Sequence, residues 1–231
     1  MKTFKLFILC AFLITAFYSC KKENDVIGGK LFNAHVNMTT YDYLKTNHLF
    51  DTLVIMIDKM NLKDEVNSSG TFFAVTNYSI HSFVLAKQAE LQTEQNNENL
   101  VFTFDSLNLS TLKDSLRAYM FKGKYTRDNL TLAGTLATAD DGEVRLIQLK
   151  PSTQYTSTLF TTDPQYIFLS KLVATKNFPL PPVLDTTTVK QLDPSQILST
   201  LCQTTGILTT TGVLHVLSND HTFTYFNNVD N

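Results

Sequence analysis

The chain has 231 residues, of which 43% are hydrophobic and 17% are charged, and its formal net charge is -2. This composition excludes a long disordered chain, a collagen-like repeat and a strong polyelectrolyte. The lack of a basic surplus argues against DNA or RNA binding, because phosphate neutralisation supplies most of the affinity of proteins for nucleic acids. The length predicts one domain, or at most two.

The amino-terminal segment differs from the rest of the chain. Lys2 and Lys5 precede an apolar run over residues 6–18. A positive start followed by an apolar run too short to span a bilayer comfortably is typical of a secretory signal. The small residue Ser19 then directly precedes Cys20, and the polar sequence KKEND follows.

This arrangement resembles the signal of a bacterial lipoprotein, in particular of the Bacteroidetes type. The resemblance implies that residues 1–19 are a signal peptide, that Cys20 carries the lipid and that residues 20–38 are a flexible tether. Acyl chains stabilise membrane association by ~0.8 kcal/mol per buried CH₂, which would anchor the protein without a transmembrane helix. The alternative is an ordinary secreted protein with Cys20 merely near the cleavage site. Because Cys10 would leave with the signal, Cys202 is the remaining thiol and no disulfide framework is possible.

The first half of the remaining chain is predicted to be mainly helical. Apolar residues in 41–60 recur at steps of three and four, which predicts a helix facing a core. A strand is predicted over 71–76, with Asn77 as the cap of a following helix. The polar residues 87–99 predict a loop or a frayed helix end, and residues 100–104 predict a short strand.

A further helix and then a strand-rich region follow. Thr111 and Asp114 have the spacing of a capping box, which predicts a helix that includes Tyr119 and ends near Gly123. Asp193 followed by proline predicts a short helix through Leu201. The predicted strands are residues 144–149, 165–173, 207–209, 213–217 and 222–226.

Two segments between these strands are predicted not to be strands. Residues 140–143, DDGE, predict a hairpin turn, and residues 178–182, FPLPP, cannot lie in a central strand because proline donates no ladder hydrogen bond. Helices thus dominate early and strands late, which favours the α+β class.

Three segments resemble, in order, the signatures of the fasciclin family. They are TFFAVTNYSI (71–80), LRAYMFKGKYTRDNL (116–130) and TTTGVLHVLSNDHTFTYF (209–226). Ala118 and Tyr119 take the places of the usual tyrosine and histidine of the second signature. The matched residues are Thr71, Phe73, Ala74, Thr76, Asn77, Gly123, Tyr125, Gly212, Val213, His215 and Val216.

The resemblance implies a single domain over residues 39–226, built as a β-wedge or sandwich flanked by helices of the N-terminal half. It also implies adhesion or ligand binding outside the cytoplasm. Phe72, Phe73, Val213 and Val216 fit core strand positions, whereas Asn77 and Gly212 serve backbone geometry. His215 is interpreted as a hydrogen-bonded structural histidine rather than a ligand.

Motifs for catalysis and cofactor binding are missing from the sequence. It contains no G-x-S-x-G turn, no H-E-x-x-H pair and no glycine-rich phosphate loop. We therefore expect no enzyme activity, no cofactor and no metal site, and we interpret Cys202 as a buried apolar side chain.

The leading functional hypothesis is an outer-membrane, lipid-anchored protein on the cell surface that binds an extracellular protein or glycan in adhesion. The candidate binding loops are residues 87–99 and 178–185, the latter with Phe178, Leu180 and Asp185. Asp185 also begins a D-T-T tripeptide that resembles a bacterial O-glycosylation acceptor. The alternative for both loops is that they are tolerated surface insertions. The alternative function is an accessory subunit docked to an outer-membrane transporter in nutrient (glycan) uptake.

Overall fold

The computed structural model of the protein describes residues 34–151 and 163–226. The predicted signal peptide (residues 1–19), the predicted lipidation site Cys20 and residues 20–33 of the predicted tether lie outside the described residues. In the part of the chain that is described, no helix combines the length and the apolar character needed to span a membrane.

Three short helices open the described chain: α1 (Thr40–Lys45), α2 (Asp51–Met60) and α3 (Lys63–Ser68). The single helix predicted over residues 41–60 is wrong, because a 3₁₀ turn at His48–Phe50 separates α1 from α2. The Asn47 side chain accepts a hydrogen bond from the Leu49 N–H and so starts this turn. The predicted apolar stripe is nevertheless confirmed, since its buried members on α2 are Leu53, Met56, Ile57 and Met60.

The predicted strand and helix that follow α3 are confirmed as β1 (Thr71–Ala74) and α4 (Asn77–Glu94). The cap of α4 is Thr76, whose side chain accepts a hydrogen bond from the Ser79 N–H at 3.4 Å. The prediction that Asn77 caps this helix is therefore wrong.

Asn77 instead joins α4 to the start of α2. Its Oδ1 accepts a hydrogen bond from the Thr52 N–H at 2.9 Å, and its Nδ2 donates to the His48 carbonyl at 2.7 Å. Phe50, at the N-cap position of α2, makes no side-chain cap hydrogen bond. Asn77 thus satisfies an otherwise unpaired N–H of the first turn of α2 from a neighbouring helix.

Replacing Asn77 by alanine is expected to lower the free energy of unfolding by about 1–2 kcal/mol, because it removes both hydrogen bonds at the start of α2. Urea unfolding followed by circular dichroism measures the change. The Asn77→Asp variant keeps the acceptor but loses the donor, so its stability should lie between that of the wild type and that of Asn77→Ala. An Asn77→Ala protein as stable as the wild type would contradict the capping role.

The strand predicted over residues 100–104 does not form. Polar side chains of α4 bind the backbone of this segment instead. Gln88 Oε1 accepts a hydrogen bond from the Phe102 N–H at 3.0 Å, and Gln92 Nε2 donates to the Leu100 carbonyl at 2.9 Å. Backbone groups that a strand partner would pair are bound by this helix instead. Helix α4 continues to Glu94, so the loop predicted over 87–99 is reduced to its last residues.

The predicted capping box is also wrong. The helix α5 (Lys113–Arg117) follows a 3₁₀ turn, and Thr111 Oγ1 donates to the Asn108 carbonyl rather than accepting from a helix N–H. Helix α5 ends before Tyr119, which therefore lies outside it. The short strand β2 (Met120–Phe121) follows.

Five more strands complete the sheet in the described residues: β3 (Thr135–Thr138), β4 (Val144–Pro151), β5 (Gln165–Leu172), β6 (Ile197–Leu208) and β7 (Val213–Leu217). The strand order is β2-β1-β7-β6-β5-β4-β3, and β1 and β7 are parallel whereas all other neighbours are antiparallel. The Asp140 N–H donates to the Met120 carbonyl at 2.9 Å, so the two edges approach each other and the sheet is nearly closed.

The second half confirms some local predictions and overturns others. The hairpin turn at residues 140–143 is confirmed, with Gly142 at a φ of 89° between β3 and β4. Asp193 caps as predicted, but only a 3₁₀ turn at Pro194–Gln196 follows, and the helix predicted through Leu201 is wrong. Those residues form the start of β6 because they pair with β5, and Ser199 and Thr200 are buried there. The strand predicted over residues 222–226 is reduced to one bridge.

The described chain thus combines helices from its first half with a seven-stranded mixed sheet, which is compatible with the predicted α+β class. The main core lies between α1–α4 and the sheet. A second, smaller cluster forms where Val189 of the short helix α6 (Thr186–Val189) packs with Leu146 and Leu172. Residues before α1 also join the fold, since the Val36 N–H donates to the Leu208 carbonyl at 2.9 Å.

Candidate functional site

The three signature segments meet in one place, which we call the signature centre: β1, β7 and residues 120–125. Strands β1 and β7 pair in parallel, with Phe73 opposite His215 and Ala74 opposite Val216. The Phe73 and His215 rings stack with centroids 5.0 Å apart. Segments far apart in sequence are therefore joined by direct contacts.

Hydrogen bonds tie the middle signature to the other two. Thr71 Oγ1 donates to the Gly123 carbonyl and accepts from the Tyr125 N–H, both at 2.8 Å. His215 Nε2 donates to the Tyr125 carbonyl at 2.8 Å, and its Nδ1 accepts from the Gly206 N–H at 3.1 Å. These partners fix the neutral tautomer of His215.

Burial lowers the pKa of His215 to about 4, although its hydrogen bond to the Tyr125 carbonyl partly opposes this shift. The ring is fully buried. Its burial and its two hydrogen bonds support the interpretation of His215 as a structural histidine.

Glycines let backbones approach closely beside this centre. A Cβ on Gly212 would lie 2.4 Å from the Ser69 carbonyl oxygen, and one on Gly70 would lie 2.1 Å from that of Lys122. The Val213 N–H donates to the Gly70 carbonyl at 2.9 Å. These close approaches join backbones inside the domain, so the two glycines are required to build the signature centre.

A second buried chain of polar groups lies next to the signature centre. The Tyr119 hydroxyl accepts a hydrogen bond from the Thr224 N–H at 3.0 Å, and its oxygen forms a second hydrogen bond with His221 Nε2 at 2.7 Å. His221 Nδ1 is 3.0 Å from Thr200 Oγ1. Burial lowers the pKa of His221 to about 3 and raises that of Tyr119. No local pattern could have revealed this chain, because Tyr119 and His221 are 102 residues apart.

Cys202, on β6, is also buried, and burial raises the pKa of its thiol. A thiol held neutral in this way is not a nucleophile, so its interpretation as a small apolar side chain is supported.

The predicted loop over residues 178–185 forms an exposed surface, which we call the proline-rich surface. Phe178 is 45% exposed and Val183 is 66% exposed, whereas Leu180 packs against the smaller core cluster. The buried Gln196 side chain donates to the Phe178 carbonyl at 2.9 Å. The loop is therefore attached to the domain by Leu180 and Gln196, and it presents Phe178 outward.

Asp185 has a structural task at the end of this surface. Its side chain caps α6 by accepting hydrogen bonds from the N–H groups of Thr187 and Thr188, at 2.8 and 2.7 Å. These hydrogen bonds lower the pKa of Asp185. Thr186, the hydroxyl residue of the predicted glycosylation tripeptide, is exposed.

A cleft of about 390 Å³ lies against the proline-rich surface. Its walls are Phe178, the three neighbouring prolines and Leu180, with Thr188 and Gln191 opposite them. No charged residue lines the cleft among those described. Such a lining suits an uncharged, largely apolar ligand surface.

The domain has two other clefts that the sequence did not predict. An apolar groove of about 340 Å³ runs between α2, α4 and residues 102–104, and the partly exposed Ile55 and Leu85 line it. A polar cleft of about 240 Å³ lies beside the buried Arg145. Two local features of the sequence hint at these clefts. Ile55 and Leu85 are apolar residues outside the predicted helical stripe, and Arg145 is a charged residue inside a predicted strand.

Within residues 34–151 and 163–226, no group of three or more His, Cys, Asp or Glu side chains could hold a metal ion. No family model matches the chain, and no curated protein matches it. The chemistry of the described residues must therefore carry any functional argument.

Proposed function

We propose that the protein is a lipid-anchored fasciclin-type domain of the outer membrane, exposed on the cell surface, that binds an extracellular protein in adhesion. The lipid anchor rests on the amino-terminal pattern that ends at Cys20. The fasciclin fold, with its β-wedge, is supported by the convergence of all three signature segments on one buried centre.

The observation that carries the binding function is the proline-rich surface. Exposed apolar side chains on a segment that is fixed to the domain lose little conformational entropy when a partner covers them. Phe178 and Val183 are such side chains, and the adjoining uncharged cleft can receive an apolar side chain of the partner. Aromatic and aliphatic anchors next to a pocket are typical of binding hot spots.

Replacing Phe178 and Val183 together by serine is expected to weaken binding to a partner protein by at least about tenfold, because both apolar anchors are lost. The probe is an array of purified extracellular-matrix proteins, and the affinity of each hit is measured by biolayer interferometry.

The matched control is Val101→Ser, which removes a side chain that is 77% exposed elsewhere on the domain. It should bind like the wild type. Equal binding by the Phe178→Ser, Val183→Ser variant, with an unchanged thermal unfolding midpoint, would remove the proline-rich surface as the binding site.

Substituting Cys20 by serine is expected to move the protein from the membrane fraction to the soluble fraction, because serine cannot form the thioether that holds the lipid. Cell fractionation followed by immunoblotting measures this. The Cys202→Ser variant is the matched control, since that thiol is buried in the core. Continued membrane retention of the Cys20→Ser protein would overturn the lipid anchor.

A further inference from the structure

An exposed set of apolar side chains surrounds the groove of about 340 Å³ between α2, α4 and residues 102–104. Half of the eight large apolar side chains that are exposed in the described residues belong to it. They are Ile55 of α2, Tyr78 and Leu85 of α4, and Val101. We call these four residues and the groove the apolar face. Exposed apolar side chains that cluster in this way, rather than standing singly, mark an interaction site.

The two helices that carry the apolar face are fixed against each other. Asn77 Oδ1 of α4 accepts a hydrogen bond from the Thr52 N–H of α2 at 2.9 Å, and both residues line the groove. Along α4, His81 and Leu85 also line it. Tyr78 lies on the same side of α4, because these three residues recur at steps of three and four. The face is therefore preformed and loses little conformational entropy when it is covered.

The apolar face carries almost no charge. None of the described residues that line the groove is Asp, Glu, Lys or Arg, and residues 77–86 of α4 contain no such side chain. At the edge of the groove, Lys59 Nζ lies 5.9 Å from the centroid of the Phe104 ring, and the exposed Asp105 follows that ring in sequence. These opposite charges favour neither an anionic nor a cationic surface. The composition fits zwitterionic lipid, in which apolar side chains enter the acyl boundary and a tyrosine lies at headgroup level.

The lipid anchor would hold this face close to a bilayer. The described domain begins at Ala34, whose carbonyl accepts a hydrogen bond from the Leu208 N–H at 2.7 Å. The chain from Cys20 to Ala34 spans 14 residue steps, so it reaches at most about 50 Å even when fully extended. The bilayer is therefore present at a high effective concentration, and contacts too weak to hold a free protein are sufficient. A soluble partner protein has no such permanent proximity.

We propose that the apolar face docks on the bilayer in which Cys20 is anchored. Ile55, Leu85 and Val101 enter the boundary between headgroups and acyl chains, and Tyr78 lies among the headgroups. The inference rests on the lipid anchor of the proposed function. A lipid on a tether leaves the domain free to rotate, whereas the second contact fixes which side of the domain faces away from the membrane.

The protein contains no tryptophan, so a single introduced tryptophan reports only its own surroundings. The test variant is Leu85→Trp. The matched control is Leu132→Trp, because Leu132 is 57% exposed, close to the 50% of Leu85, and lines a different cleft. Both full-length proteins are purified in detergent and reconstituted into phosphatidylcholine vesicles. Quenching of the fluorescence by phosphatidylcholine with brominated acyl chains is then measured.

Brominated lipid should quench the Leu85→Trp fluorescence at least about twofold more strongly than that of Leu132→Trp, because an interfacial face lies about 5–10 Å deep, at the acyl boundary. Adding Ile55→Ser and Val101→Ser to the Leu85→Trp protein should reduce its quenching to the level of the control. This triple variant should still float with the vesicles on a density gradient, because its lipid remains.

The two readouts separate the anchor from the apolar face. A triple variant that does not float with the vesicles would overturn the lipid anchor, and the membrane-docked face with it. If it floats, but Leu85→Trp and Leu132→Trp are quenched equally, the anchor stands and the docking of this face on the bilayer is overturned. That result would leave the apolar face to a protein partner.

Discussion

Replacing Gly70 by alanine is expected to lower the free energy of unfolding by at least about 3 kcal/mol. The new Cβ would lie 2.1 Å from the Lys122 carbonyl oxygen and 2.8 Å from the Gly123 carbonyl carbon. Both obstacles are backbone atoms, so no rotamer change can relieve the overlap. The neighbouring Thr71 is held between Phe121 of β2 and Val213 of β7, so the strand cannot shift without breaking ladder pairs on both sides.

Urea unfolding measures this loss, and a second glycine provides a matched control. A Cβ on Gly123 would meet only the Tyr125 side chain, at 2.6 Å from its hydroxyl oxygen, and a side chain can move. We therefore expect Gly123→Ala to be less destabilising than Gly70→Ala. If Gly70→Ala were as stable as the wild type, or no worse than Gly123→Ala, the close approach of the two backbones would be refuted.

The parts of the fold that the sequence predicted correctly are those with a local physical signal. The run of β-branched and aromatic residues after Gly70 predicts β1, and the DDGE turn predicts the β3–β4 hairpin. Asp193 followed by proline predicts a cap, which the structure contains. In each case, the residues that determine the element are its own residues or their immediate neighbours in sequence.

The wrong predictions are those in which distant partners decide the outcome. Residues 197–201 have helical spacing, but pairing of Ser199 with Ser170 of β5 makes them a strand. Asn77 has the chemistry of a cap, yet it caps α2 while Thr76 caps its own helix. Local propensity is a weak prior once tertiary contacts compete with it.

The candidate sites show the same difference between features with a local sequence signal and features that depend on distant residues. The proline-rich surface could be predicted because proline excludes a central strand, although only the structure separates the exposed Phe178 from the packed Leu180. The polar cleft beside Arg145 could not be predicted, because it joins residues of α5, β4, β5 and the C-terminal segment. Nothing in the spacing of these residues brings them together.

Acidification from pH 7 to pH 5 is expected to lower the free energy of unfolding by about 2 kcal/mol for each of His215 and His221. In the folded domain their pKa values are about 4 and about 3, below the ordinary value of 6.5. At pH values between 6.5 and these lowered pKa values, both histidines are protonated in the unfolded chain but neutral in the folded domain. The stabilisation is therefore complete above pH 6.5 and is lost as the pH falls towards the folded pKa values. A loss of about 4 kcal/mol is a large fraction of the stability of a typical domain.

Urea unfolding at several pH values between 6 and 5 measures the slope, which is expected to be about 2 kcal/mol per pH unit. Above pH 5 most carboxyl groups remain ionised, so the two histidines dominate this interval. The His221→Gln variant keeps an amide that can still donate and accept between Tyr119 and Thr200, but it cannot titrate. Its slope should fall to about 1 kcal/mol per pH unit, which leaves the contribution of His215. An unchanged slope in this variant would show that His221 is not held neutral in the folded domain, which would contradict its burial-lowered pKa.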